Sequence, residues 1–305
     1  KSAYLKEDFR TGTGKLITAD MRKHYAHAII KNVNHFFTRV NARVLVDPAA
    51  GGALATTPVL LKKLGAEVKV VNDDPDNHLR EPEPNDQTLA YIKNHVNGFD
   101  YDVGVAHDMD ADRLMVIRKD GSVMPIDHVL ALLARVMGNG KPIVTSVDTS
   151  SLLENVYPGK IIYTRIGHQF LQDTVLKKGA LFSGEPSGHL CYPPFIAQDS
   201  GTFFAIVMAA VAKKIDKMLA ELPPCFIKRT NITVEQKEEI MNNVIESARK
   251  RYRVISDIDG VKFKYHNATV HIRSSANDPK IRVVVDSPED DCDDVLDSLR
   301  HEFGL

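Results

Sequence analysis

The sequence predicts an α/β protein: two similar α/β domains with mixed, largely parallel sheets, followed by a smaller C-terminal α+β domain. Three observations predict it. Short apolar runs rich in β-branched residues alternate with helix-like segments, once up to residue 119 and again up to residue 222. A polar hairpin, "RKDGS" (118–122), divides the two rounds, and the paired prolines of "ELPPCF" (221–226) end the second. Beyond the prolines a long helix precedes three strand-like runs, the pattern of an α+β unit with antiparallel strands. The boundaries that follow are 1–16 for the remnant of a preceding domain or a linker, then domains at 17–119, 120–222 and 223–305.

The elements follow in chain order. "ITADMRKHYAHAIIKNV" (17–33) has helical amphipathicity with Thr18 or Asp20 near its start. Residues 42–46 read as a strand ending in the small-residue turn "DPAAGG". "TTPVLLKKL" is then a Thr-capped helix stopped by Gly65, and residues 67–71 a second strand, which makes a βαβ unit. "EPNDQTLAYIKNHV" (83–96) is expected to be a helix and "YDVGVAH" (101–107) a short buried strand. In the second round "IDHVLALLARVMG", "SLLENV" and "QFLQDTVLKKG" read as helices between the strands "KPIVTSV", "KIIYTRI" and "ALFSG", and one long helix is expected from Gly201 to Leu222. The last domain has a helix at "EQKEEIMNNVIESARKRY", strands at "VKFKYH", "ATVHIRS" and "KIRVVVDS", and a final helix from Asp290 to about Phe303.

Composition narrows the function classes. A chain of 305 residues has room for two or three sizeable cores, and a formal net charge of -1 gives no electrostatic case for nucleic acid or an anionic membrane. The longest uncharged apolar stretch, "TFFAIVMAAVA" (202–212), is too short to span a bilayer and reads as a buried helix. Cys191, Cys225 and Cys292 are odd in number and far apart without metal spacing, which suggests reduced thiols in a cytoplasmic protein. The sequence opens on Lys1 rather than Met, so an upstream part is expected.

Three loops could carry chemistry. In "HDMDADRL" (107–114), Asp108, Asp110 and Asp112 crowd three carboxylates into five positions, and their repulsion must be offset by a cation, by donors or by solvation. They follow a strand, at the end where open α/β sheets bind ligands. An EF-hand is excluded because Arg113 and Lys119 stand where it needs Gly and Glu; a hard divalent cation on three oxygens, or a solvated acidic turn, fits the spacing. In "SGEPSGHL" (183–190), Glu185, Ser187 and His189 alternate between two glycines and could converge on sugar hydroxyls, or form a glycine-rich turn with incidental polar groups. In "RSSANDPKIR" (273–282), two arginines, two serines, Asn277 and a turn of amides make a phosphate cradle or a surface β-turn. Gly167 and His168 of "RIGHQF" interrupt a strand-to-helix passage, where a lone His serves as a cap, a solvated group or a catalyst.

Together the order D-x-D-x-D-R, then G-E-x-S-G-H, then R-x-S-x-x-x-P-x-x-R resembles the α-D-phosphohexomutase family, with "VDPAAGGA", "EPEPNDQTL" and "TRIGH" as connecting landmarks. The resemblance runs from about Ile17 to the end and implies family domains two, three and four, without the first domain, whose serine carries the transferred phosphate. It implies that Asp108, Asp110 and Asp112 hold Mg²⁺ and that Arg113 lies beside the phosphoserine. Gly167 and His168 would sit near the reaction centre, with His168 assisting proton transfer or orientation and His189 close to the sugar. Glu185 and Ser187 would hold sugar hydroxyls, and Arg273, Ser275, Asn277 and Arg282 the non-reacting phosphate. The implied reaction interconverts hexose 1-phosphate and 6-phosphate, of mannose or glucose, with a hexose 1,6-bisphosphate as intermediate and activator and a phosphoserine domain as partner. Ser187 and His189 are shared with phosphoglucosamine mutases, and a non-catalytic sugar-phosphate binding protein is the alternative of another class. Met109 replaces the Gly usual in the metal loop, which is expected to reduce backbone freedom there. Asp148 stands where many relatives have a lysine, and Ala276, Asn277 and Asp278 differ from the usual phosphate loop.

Overall fold

Parallel pairing at the centre of two sheets and antiparallel pairing throughout a third are what the alternation predicts, and a computed structural model shows all three. It describes residues 17–95 and 99–305; the expected remnant at 1–16 and the end of the helix expected at 83–96 lie outside the described residues. In the first sheet β1 (Arg43–Asp47) lies between β2 (Glu67–Val70) and β3 (Val103–Ala106), parallel to both. Strands β4 (Met115–Ile117) and β5 (Val123–Met124) then add antiparallel as the hairpin around "RKDGS". The change of sheet therefore falls at Pro125, a few residues beyond 119. In the second sheet β6 (Ile143–Ser146) has β7 (Ile161–Thr164) and β8 (Ser183–Gly184) as parallel neighbours, and β9 (Leu190–Cys191) closes the edge antiparallel.

Two expected helices differ. Within 83–95 only Ile92–His95 is helical, because Asn85 Oδ1 caps the amides of Gln87 and Thr88 at 2.9 Å and holds the preceding residues in turns. The helix expected over 201–222 breaks at Val211 into Gly201–Ala210 and Ile215–Ala220. Its first part is apolar on every side and buried between the two α/β units, so it must end before Lys213 and Lys214 can reach water. Around it Val44, Val105, Leu130, Phe203 and Phe204 belong to one shared core, so the first two units are a single apolar body.

The third sheet has the order β10 (Phe226–Thr233), β14 (Lys280–Ser287), β13 (Ala268–Ser274), β12 (Val261–Tyr265) and β11 (Arg253–Ser256). Helices α9 (Lys237–Arg251) and α10 (Cys292–Phe303) cover it, with a separate core around Val244, Phe263, Ile272 and Leu299. Polar contacts fasten this unit to the second. Arg229 reaches the fully buried Asp127 at 2.9 Å, Asp286 accepts from Ser151 N and Oγ at 3.0 and 2.8 Å, and Lys262 donates to the carbonyls of Val147 and Thr149.

At the C-terminal end of β1, Asp47 is fully buried and accepts from Ala49 N, Asn72 Nδ2, Tyr91 Oη and Arg80 Nε. Arg80 donates onward to the carbonyls of Glu81, Pro82 and His107, so every nitrogen of this guanidinium has an acceptor. Replacing Arg80 with Leu is expected to lower unfolding stability by about 3–5 kcal/mol, because Asp47 stays buried without its cation. The Asp47→Asn, Arg80→Leu pair should lose less than the sum of the singles, as read by urea unfolding.

Candidate functional site

The Asp loop leaves β3 through His107, which is wholly buried; its Nε2 meets Thr57 Oγ1 at 3.0 Å and its Nδ1 meets the carbonyl of Arg113 at 2.8 Å. Burial pushes this imidazole down to about 4, so it is a neutral clasp across the base of the loop. The turn after β1 presses on the other side: Gly52 N donates to Met109 O at 2.7 Å, and a Cβ on Gly51 would lie 2.1 Å from that oxygen. The left-handed residue in the loop is Ala111, at φ 64, and Met109 is not among the residues with positive φ. Met109 therefore replaces glycine without backbone strain, and its side chain is exposed.

Carboxylate oxygens of Asp108, Asp110 and Asp112 all lie within 4.8 Å of one another. Burial and the neighbouring carboxylates of Asp112 and Asp110 raise Asp108 to about 6. Asp112 Oδ1 is buried without a hydrogen-bond partner among the described residues. Crowded hard oxygens, one of them orphaned, fit a divalent cation such as Mg²⁺. Arg113 lies beside them, 3.2 Å from Asp108 and 2.8 Å from Glu83.

The second loop is stitched to the first by Leu114 N to Gly188 O at 3.0 Å and by a bridge between Arg113 and His189. Its three polar residues do converge. Glu185 accepts from Ser187 Oγ at 2.6 Å, contacts His189 Nδ1 at 3.2 Å and takes the amide of Gly167 at 3.0 Å. Burial opposes the Glu185 charge, yet these donors hold the carboxyl below its usual range. His189 Nε2 lies 3.5 Å from Asp112; burial opposes its charge too, but hydrogen bonds to Asp112 and Glu185 raise it to about 9. Gly167, at φ 128, precedes the helix that starts at His168. His168 stacks on His189 with ring centroids 4.8 Å apart, and its Nδ1 meets Asp199 at 3.0 Å.

Arg273 and Arg282 face each other across the β13–β14 hairpin, and among the described residues neither has an ion-pair partner. Both line a cleft of about 280 Å³ with Glu185, Ser187, Asp148 and Arg229. Ser275 and Asn277 do not line it. Ser275 is buried in the hairpin turn, its amide bonded to Lys280 O, and Asn277 is exposed on the outside of that turn. Lys237 Nζ braces the turn through the carbonyls of Ser275 and Asp278. Sequence reasoning did not single out Glu83, Arg229 and His271, which line the two hollows, or Asp199, which meets His168. One signal was available: Glu83 falls within the "EPEPN" landmark.

Residues 23–121 match the family model "Phosphoglucomutase/phosphomannomutase, alpha/beta/alpha domain II", and residues 125–228 match domain III of the same family. A "Probable phosphoglucosamine mutase" from Methanosarcina acetivorans is 35% identical over 256 residues, covering 81% of this chain and 59% of the relative. One of the same name from Methanocella arvoryzae is 32% identical over 300 residues, covering 90% and 68%. The chain thus spans roughly three-fifths to two-thirds of the length of these relatives. A phosphoglucomutase/phosphomannomutase family protein from Burkholderia thailandensis shares the fold, with TM-score 0.77, 22% identity and coverage of 96% and 67%. Aspergillus fumigatus N-acetylphosphoglucosamine mutase, solved with GlcNAc-6P and magnesium, shares it at TM-score 0.59 and 16% identity, covering 92% and 64%.

In the metal-free protein the His189 ring protons are expected to titrate near pH 9 by NMR, and lower in Asp112→Asn, where the Glu185 bond alone remains to raise them. A histidine raised above its unfolded value stabilises fully below about 6.5 and loses that contribution as pH rises to about 9, so thermal unfolding should show a fall across that window. An unshifted His189 titration would remove the Asp112 to His189 contact as its cause.

Proposed function

The chain belongs to the phosphoglucomutase/phosphomannomutase family, the α-D-phosphohexomutases, and from that premise we propose that it supplies the metal, sugar and phosphate loops of a phosphohexomutase. The reaction would interconvert hexose 1-phosphate and 6-phosphate through a bisphosphorylated sugar. The names of the relatives favour a hexosamine over the mannose or glucose expected from the motifs.

One observation carries the reading: a single loop joins the carboxylate cluster to the arginine cleft. His189 lines the same hollow as Asp108, Asp110 and Asp112, while Glu185 and Ser187, four and two residues earlier, line the cleft with Arg273 and Arg282. A sugar held by that loop would lie with one end at the metal loop and the other at the arginines.

Asp108, Asp110 and Asp112 would hold Mg²⁺, which when bound neutralises charge on a phosphoryl group in transfer. Arg113, steadied by Glu83, adds a fixed positive charge beside the same group. Glu185 Oε2 takes one amide and keeps a lone pair for a sugar hydroxyl. His189, tied at Nδ1 by Glu185 and Ser187, keeps Nε2 on the metal-loop side, where it can hold or pass a hydroxyl proton. His168 stacks behind it and fixes the ring. Arg273 and Arg282, adjacent and without an ion-pair partner among the described residues, would grip the non-reacting phosphate. The 305 residues carry no serine loop of the T-x-S-H-N-P type, so on this reading the phosphoserine comes from outside them.

Calorimetric titration with glucose 1,6-bisphosphate and Mg²⁺ should show binding that Glu185→Ala weakens. Replacing Arg273 and Arg282 together with Ala should cost about 3–6 kcal/mol, two charge-assisted hydrogen bonds at 1.5–3 each. Unchanged affinity in the double variant would remove the arginine pair from the site. In the absence of sugar, Mg²⁺ should raise the melting temperature of the native chain and leave that of Asp108→Asn, Asp112→Asn unchanged; a rise in both would place the metal elsewhere.

A further inference from the structure

The arginine cleft holds a second charge that the phosphate grip does not use. Of its three arginines, Arg229 is spent on Asp127, while Arg273 and Arg282 have no ion-pair partner among the described residues. Of its two carboxylates, Glu185 is saturated on one oxygen and bonded on the other by Ser187, His189 and the Gly167 amide. Asp148 differs. Its Oδ1 accepts from Ser146 Oγ at 2.5 Å, and among the described residues Oδ2 has neither a hydrogen bond nor a cation within 4.0 Å.

Two neighbouring cations are turned to the backbone instead. Arg229 Nη2 donates to the carbonyl of Asp148 itself at 3.2 Å, and Lys262 Nζ to the carbonyls of Val147 and Thr149 at 3.0 and 2.8 Å. These bonds fix the chain on both sides of Asp148 and leave the side chain half-exposed in the cleft. Ser146 fixes its rotamer. A positioned, acceptor-only carboxylate beside two unpaired guanidiniums suits a ligand with a phosphate at one place and a cation at another. A ligand that was only anionic would be repelled by Asp148.

We propose that Asp148 is a specificity-determining residue that selects a sugar phosphate bearing a free ammonium group, a hexosamine phosphate. This rests on the sugar-phosphate reading above and adds the group that distinguishes one such sugar from another. An ammonium gives Asp148 a charge-assisted hydrogen bond where a hydroxyl gives a neutral donor. An N-acetylated sugar brings no charge and gains nothing from it.

The test is calorimetric titration of the full chain, with Mg²⁺, using glucosamine 6-phosphate, glucose 6-phosphate and N-acetylglucosamine 6-phosphate, on the native protein and on Asp148→Asn. The native chain should bind glucosamine 6-phosphate about tenfold more tightly than the other two. Asp148→Asn should bring that ratio to about one while glucose 6-phosphate affinity stays equal or rises, since a carboxylate near the phosphate is gone. A native chain that binds all three alike, or a variant that keeps the preference, overturns the role of Asp148 and leaves the sugar-phosphate reading standing. A native chain that binds none of them overturns both.

Discussion

The ion pair between Asp47 and Arg80 is the contact on which the site depends. Both groups are almost wholly removed from water, so their charges are tolerable only if every polar atom around them is matched. Matching them draws together three segments far apart in sequence: the end of β1, the carbonyls of Glu81 and Pro82, and the carbonyl of His107 at the end of β3. The position of the Asp loop follows. His107 is held from above by Arg80 and from the side by Thr57, and the residues after Pro82 bring Glu83 within reach of Arg113.

From that anchor the charges of the site separate into two regions. Three carboxylates crowd at the end of the first sheet, and two arginines stand opposite each other on the third. Each group is unfavourable by itself, since like charges at short range raise each other's energy. On the acidic side burial first, and the Asp112 and Asp110 carboxylates after it, raise Asp108 to about 6. Between them runs the Glu185 to His189 loop, whose first part lines the arginine cleft and whose His189 lines the hollow of the carboxylates. The shared core of the first two units and the contact of Arg229 with the buried Asp127 keep these regions in register.

Much of this was legible in the sequence. β3 and the Asp loop could be read because a buried parallel strand is a short β-branched run and its end is marked by the first charges. Glu185, Ser187 and His189 could be read because alternation between glycines is a local pattern. The strand Phe226–Thr233 was missed, since an edge strand with a mostly half-exposed or exposed sequence, "FIKRTNIT", shows no apolar alternation. The helix expected at 83–96 was an error of the opposite kind: apolar spacing suggested it, and the Asn85 and Thr88 side chains outcompeted it by bonding the backbone locally. In the hairpin at 273–282 the structure puts Arg273 and Arg282 in the cleft and Ser275 and Asn277 outside it, a division the sequence does not carry because it does not say which residues of a turn face inward.

By itself the sequence determined the two rounds of α/β alternation, the α+β ending, and which short loops concentrate charge and glycine, because these are set by residues within a few positions of one another. The tertiary structure decided the rest. It paired Asp47 with Arg80 and His168 with Asp199, put Asp148 in one cleft with Arg273 and Arg282, and turned Ser275 into the hairpin. Apart from the hairpin turn, those contacts join residues tens to more than a hundred positions apart. They arise only when apolar burial brings the units together, and no local pattern encodes which polar groups then meet.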